Sequence, residues 1–297
     1  MTTGLGWVKR HPVLTYFVLV FALGWYRLIG SFLLEDYSGA GTFIWAAGIV
    51  GLLMALLTGG WAGLRELLRR CFRWRVAPRW WLLALLMPAA MYLAAIAAHV
   101  LMGGEAPRFT FFRQDLLMAP LVFVLMFRPG DGPSGEIGWR GFALPAMQDR
   151  WGPLPASLAL GALYGVWHLP EFLEPGALQN LMGLGYLPWF TLGAMGNAVM
   201  MTWLYNRTGG SALISGFLFH GALNFWGLTL LTDFSLSADG MPPIDTDLVR
   251  VVGVVMTVVG FGFVVATRGR LGRPPGGKSA TGSLPEGGAP PAPEPPG

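Results

Sequence analysis

One cysteine, Cys71, stands among 297 residues, so an intramolecular disulfide is excluded. Charge is scarce as well. Asp, Glu, Lys and Arg make up 12% of the chain, against roughly 25% in soluble domains. No His-Glu-x-x-His segment is present, which excludes the helix-borne zinc site of the zincin proteases. The net charge of +4 comes from basic residues scattered over separate loops, so nucleic acid is not an expected partner. Apolar residues are what the chain has in abundance: 54% are hydrophobic, and the mean hydropathy is +0.53. Long apolar runs joined by short loops predict an all-α, polytopic membrane protein whose first partner is the lipid bilayer.

Crossing a bilayer takes about 20 apolar residues in a helix. Stretches near 12–34, 41–61, 80–102, 111–127, 155–170, 182–204, 211–231 and 248–267 are the candidates, about eight transmembrane helices in all. Lys9 and Arg10 precede the first, which is too long for a signal-peptide core and is read as retained. Arg65, Arg69, Arg70, Arg73, Arg75 and Arg79 crowd the loop after the second, with Glu66 their lone acidic neighbour. Lys and Arg stay on the cytoplasmic side, so this loop and both termini are expected there. The segment 64–75 interleaves these arginines with Leu67, Leu68, Phe72 and Trp74, the pattern of a helix lying along the interface. Cys71 sits among them without a base beside it and reads as an interfacial cysteine, not a nucleophile. The transmembrane domain is expected over 1–271. The Pro- and Gly-rich residues 272–297 cannot bury a core and are expected to be a disordered tail.

Polar groups inside such a domain are costly and tend to mark a pathway or a reaction centre. Three clusters stand out. In Gly135-Glu136-Ile137-Gly138-Trp139-Arg140-Gly141, Glu136 and Arg140 share a helix face four residues apart, with Ser134 placed as an N-cap. Alone, that pair would be read as a structural salt bridge. Tyr164 and His168 share a second face, and His220 and Asn224 a third. His99 and Asn197 have no polar neighbour at helical spacing and read as packing groups. Together, the three clusters supply the parts for amide hydrolysis. A buried carboxylate can take a proton from water, imidazoles can hold that water, and a carboxamide can donate to an oxyanion. Two His and one Glu are also a known catalytic zinc set, so Glu136, His168 and His220 are the ligands a zinc ion would use. These residues do not decide between a water held directly and one held by a metal.

In this order the clusters resemble the CPBP family of intramembrane endopeptidases, which includes CAAX prenyl proteases and bacteriocin-processing or immunity proteins. The family pattern is Glu-Glu-x-x-x-Arg, then Phe-x-x-x-His, then His-x-x-x-Asn. The resemblance runs from about Glu136 to Asn224, within a motif core of about 132–231. It implies a protease whose chamber opens toward the cytoplasm and whose substrate is a membrane-associated peptide or protein, prenylated or bacteriocin-like. It also implies catalytic roles for His168, His220 and Asn224, to which the cluster's own chemistry adds Glu136, supporting roles for Arg140 and Tyr164, and a multi-pass location in a cell membrane, usually the bacterial inner membrane. Tyr164 keeps the ring of the family's Phe and adds a hydroxyl.

One departure matters. Counting back from Arg140, the family's first Glu is Gly135 here, and Glu136 holds the second position. Neighbours on a helix point about 100° apart, so Glu136 does not simply fill the missing place. Either the turn at Gly132-Pro133 re-aims Glu136, or the chain is catalytically impaired and serves in peptide binding or immunity. A proton-relay transporter is the third reading, but it lacks the chain of acidic groups across the bilayer that a relay uses.

Overall fold

A computed structural model describes residues 2–127, 132–236 and 244–273, and every regular element in them is helical. The principal helices are α1 (Pro12–Gly24), α2 (Tyr26–Leu34), α3 (Ala46–Cys71) and α4 (Pro78–Leu101). Next comes α5, assembled from Glu136–Gly138, a π-helical turn Trp139–Ala143 and Leu144–Trp151. Then follow α6 (Pro153–Trp167), α7 (Leu187–Arg207), α8 (a π turn Leu213–Leu218 continued by Phe219–Leu231) and α9 (Thr246–Thr267). Pro12, Pro78 and Pro153 each begin a helix, where the missing N–H goes unused and the fixed φ fits. Asp245 caps α9 by accepting from the backbone N–H groups of Asp247 and Leu248.

Among the described residues, four helices are long and apolar enough to cross a membrane: α3, α4, α8 and α9. A fifth span results if α1 and α2, bent by 45° at Trp25, count as one. The protein is therefore an integral, multi-pass membrane protein. Outward-facing Leu82, Leu86 and Leu93 on α4 and Val258, Phe261 and Val265 on α9 form apolar faces suited to lipid.

The expected spans change in detail. Gly60 has φ 59° and ψ −154°, a conformation glycine adopts freely, and it breaks α3 inside its span. The stretch beyond Gly60 bears Arg65, Arg69 and Arg70 and folds back, so that a Cβ on Gly63 would meet the Ala55 carbonyl. Cys71 is buried there rather than interfacial, with its Sγ against Gly141. The run 111–127 holds only the short helices Thr110–Gln114 and Ala119–Leu125 and a 3-10 turn between them. Asp115 leaves the helical line, and its carboxylate accepts from the Leu236 N–H at 2.9 Å. Helix α6 stops at Trp167, and α7 starts at Leu187 rather than 182. Both face protein more than lipid, so they carry Gly161, Gly165 and Asn197 in place of a continuous apolar surface. Ser134 sits in a 3-10 turn, and Gly135 holds the N-cap position of α5. The expected tail, beyond Arg273, lies outside the described residues.

Close helix approach places the site. A Cβ on Gly51 would come 2.6 Å from the Cα of Gly138, so α3 and α5 touch backbone to backbone. An aromatic cluster of Tyr16, Phe17, Trp139, Tyr164 and Trp167 then locks α1, α5 and α6 together. Side-chain interactions define two ends of the bundle. At one, Arg150 reaches the Arg10 carbonyl, Arg273 pairs with Asp149, and Arg79 and Arg207 lie over Trp80. At the other, Trp25 reaches the Trp167 carbonyl, His99 meets Asp245, and Arg108 meets Asp233.

Candidate active site

Glu136 is 0% exposed, and its Oε1 receives two groups at 2.9 Å. One is Nη1 of Arg140, one helical turn on; the other is Nδ1 of His220, brought in by α8. The expected shared face of Glu136 and Arg140 is thus present, and His220 joins it. Arg140 extends a second nitrogen to Sδ of Met201 at 2.9 Å. A carboxylate only accepts, so in the tautomer that makes this contact Nδ1 of His220 donates and Nε2 keeps its lone pair. Gly216 makes the pairing fit: a Cβ there would stand 2.9 Å from Oε2 of Glu136. That oxygen is buried and has no partner. Both helices carry a π turn beside the cluster, over Trp139–Ala143 and Leu213–Leu218. Such turns recur at functional sites because they shift side chains off the regular helical register.

His168 belongs to a second pair. Its Nδ1 lies 3.2 Å from Oε2 of Glu171, and its Nε2 is buried without a partner. The ring is enclosed by Tyr164, Trp167 and Phe190 at centroid distances of 4.7, 5.1 and 5.3 Å. Its backbone is pinned from the bend between α1 and α2 and from the segment before α3. The carbonyl of Trp167 accepts from Nε1 of Trp25 at 2.9 Å and from Oγ1 of Thr42 at 3.3 Å. Tyr164 stands between the two pairs, 4.7 Å from His168 and 6.1 Å from His220 by ring centroid.

A cavity of about 420 Å³ begins at this cluster. Glu136, Arg140, Tyr164, His220 and Asn224 line its inner part, and its walls are otherwise mostly apolar. Asn224 follows His220 by one turn of α8 and faces the same space. His168 is not in the wall; it stands behind Tyr164 and Phe190, which are. Asn197 also borders the cavity and donates to Sδ of Met256 at 3.2 Å.

Glu171, Trp25, Thr42 and Gly216 were not among the residues expected at the site. Glu171 had a readable signal, since it follows His168 at helical i,i+3 spacing. The other three approach from elements distant in sequence and had none. His99, read as a packing group, has an acidic partner in Asp245 at 3.1 Å, which also comes from a distant helix.

A zinc ion on Glu136, His168 and His220 does not fit this arrangement. Glu136 and His220 meet, but His168 is turned to Glu171. Among the described residues, no three His, Cys, Asp or Glu side chains converge as metal ligands would.

Helices and site together define a multi-pass membrane protein with two carboxylate–imidazole pairs beside a buried, largely apolar chamber. Residues 115–226 match the family model described as type II CAAX prenyl endopeptidase Rce1-like. Through that stretch the chain is similar to this family of membrane endopeptidases. It is also similar to CAAX prenyl protease 2 of Methanococcus maripaludis, 28% identical over 148 residues, which cover 47% of this chain and 52% of that protein. The chain thus spans about half the length of that relative.

Proposed function

We propose that this protein is an intramembrane endopeptidase that hydrolyses a peptide bond in a membrane-associated polypeptide. The observation that carries the reading is that both histidines are held through Nδ1 by a carboxylate, His220 by Glu136 and His168 by Glu171. A carboxylate there fixes the tautomer and leaves Nε2 free to act as a base, the logic of the His in hydrolytic triads. In the proposed reaction, Nε2 of His220, which lines the chamber, takes a proton from water as the water oxygen bonds to the scissile carbonyl carbon. The carbonyl electrons move to oxygen, and the Asn224 amide donates to the oxyanion. Collapse breaks the C–N bond, and the imidazolium returns its proton to the leaving amine. Arg140 holds Glu136 oriented, and Tyr164 sets the spacing of the rings. On this reading the carboxylates orient the imidazoles, so the absence of a side chain at Gly135 does not remove the base.

The proposed domain is 1–271. The proposed topology has eight passages, with the fourth carried by α5 rather than by 111–127 and the arginine-rich end in the cytoplasm. A bacterial inner membrane is the proposed location. The relative's name makes a prenylated CAAX-type tail one substrate to try, and a bacteriocin-like peptide is another.

The test uses purified protein in proteoliposomes with quenched fluorescent peptides of both kinds. Cleavage is expected from wild type and is expected to be lost in His168→Ala and in His220→Ala. Equal cleavage by all three would remove the proposed site. Gly135 also favours a second reading, a member that binds such peptides without cutting them. Saturable binding by folded wild type with no turnover would select it.

A further inference from the structure

We infer that Tyr92, on α4, is a substrate-positioning residue. Its hydroxyl donates to a main-chain carbonyl of the polypeptide in the chamber, about one residue away from the bond under attack. Such a contact presupposes the peptidase reading above, in which a polypeptide lies in this chamber, and it adds a subsite to that reading.

One face of α8 runs along the chamber. His220, Asn224, Gly227 and Leu231 all line the cavity, and their helical spacing sets them in a single row. The row is polar at His220 and Asn224 and apolar at Leu231. At Gly227 α8 has no side chain to offer, and a group from another helix takes the place. A Cβ on Gly227 would stand 3.1 Å from Oη of Tyr92 and 3.4 Å from its Cζ. Tyr92 is itself part of the cavity wall, so α4 reaches the chamber at this point.

Tyr92 is 7% exposed, and a buried phenol usually finds a hydrogen-bond partner. The hydroxyls of Tyr16 and Tyr186 do, donating to the Ala47 and Val249 carbonyls. The Tyr92 hydroxyl pairs with no protein group among the described residues. Nor is it sealed in, as the unpaired hydroxyl of Tyr205 is. Around the ring lie Met91, Ala95, Ile96 and Leu230, members of one apolar cluster. A hydroxyl without a partner is costly in such surroundings, and phenylalanine would pack there at least as well. The hydroxyl is therefore explained by a group that enters the chamber, not by packing.

The row also says which part of a substrate it meets. From Asn224 to Gly227 the axis advances about 4.5 Å at 1.5 Å per residue. An extended peptide advances about 3.3 Å per residue. With the scissile carbonyl at the Asn224 amide, the Tyr92 hydroxyl meets the chain about one residue further toward Leu231. A main-chain carbonyl is the acceptor that every residue offers there. The contact thus holds the chain in register without selecting its side chains.

Tyr92→Phe keeps the ring and removes only the hydroxyl. Wild type and Tyr92→Phe are compared for kcat and KM in proteoliposomes with the quenched fluorescent peptides, and for Tm in detergent. Loss of one neutral hydrogen bond corresponds to roughly a fivefold change in affinity. A rise in KM of about that size is expected, with kcat unchanged and Tm unchanged or higher. That split marks a contact made equally in the ground and transition states. An unchanged KM, a change confined to kcat, or a rise in KM accompanied by a lower Tm would overturn the inference. If wild type binds the peptides without cutting them, the peptidase reading fails while the Tyr92 contact is still tested. Kd from fluorescence anisotropy then replaces KM, with the same rise expected in Tyr92→Phe and an unchanged Kd overturning it.

Discussion

The imidazole of His168 is held through Nδ1 by Glu171, 3.2 Å away, while its Nε2 is buried and has no partner. Glu171 is three residues along the chain, in the first turn of the short helix Leu169–Leu173 that follows α6. A carboxylate in that place orients the ring, which packs against Tyr164 and Phe190 of the chamber wall.

Glu171→Gln should therefore lower kcat while leaving KM nearly unchanged, because no substrate group is removed. A clear loss of kcat is expected, because a displaced His168 ring no longer supports Tyr164 in the chamber wall. Glu171→Asp should recover part of it. Steady-state kinetics on a cleaved reporter peptide checks this, and a change confined to KM would remove the orienting role.

Glu136 is fully buried and carries both Arg140 and His220 on one oxygen. Removing its charge leaves the Arg140 guanidinium buried without its counter-ion. Breaking one partner of a buried pair costs about 3–5 kcal/mol, so Glu136→Gln should unfold at markedly lower temperature. Glu136→Gln combined with Arg140→Met removes both charges and should regain much of the Tm without regaining activity. Thermal unfolding in detergent, read beside cleavage, separates the two effects.

Gly135 stands where the family pattern has its first Glu, and the structure shows what occupies the space instead. A Cβ on Gly135 would come 3.0 Å from Nε1 of Trp139. That indole is 1% exposed and is packed by Tyr16, Phe17, Tyr164 and Trp167. Gly135→Glu should thus destabilise the fold, by about 1–3 kcal/mol for overpacking a filled site. Adding Trp139→Leu makes room and should restore stability. Unchanged Tm in the single variant would show that the indole yields freely.

Much of this arrangement was legible in the sequence, and the limits have physical causes. Glu136 with Arg140, and His220 with Asn224, were readable because helical spacing alone puts each pair on one face. The meeting of Glu136 with His220 was not readable from spacing, since 84 residues separate them; the family resemblance supplied that expectation. Apolar runs marked α4 and α9 well because these face lipid, and α8 because it is apolar and packed inside the bundle. The runs near 12–34 and 41–61 concealed a 45° bend at Trp25 and a break at Gly60, because apolar composition does not report backbone direction. The run 111–127 misled for the same reason: Phe111 and Val122 pack inward while Leu117, Leu121 and Val124 face outward from helices too short to span.

The Trp167 carbonyl, which leads into His168, accepts from both Trp25 and Thr42. Thr42→Val keeps the shape and removes one donor, a loss of roughly 1 kcal/mol. Thr42→Val with Trp25→Phe should release the end of α6 and lower kcat more than either change alone. A double-mutant cycle on kcat checks the coupling; strict additivity would mean that the two donors act independently of His168.

The central claim is that two carboxylate-held imidazoles make this membrane protein a peptidase. The most direct measurement compares newly formed protein N-termini in membranes of cells expressing wild type, His168→Ala or His220→Ala at equal levels. The account predicts a set of termini present with wild type and absent with both variants. Identical sets of termini in all three, with the proteins folded and in the membrane, would contradict it.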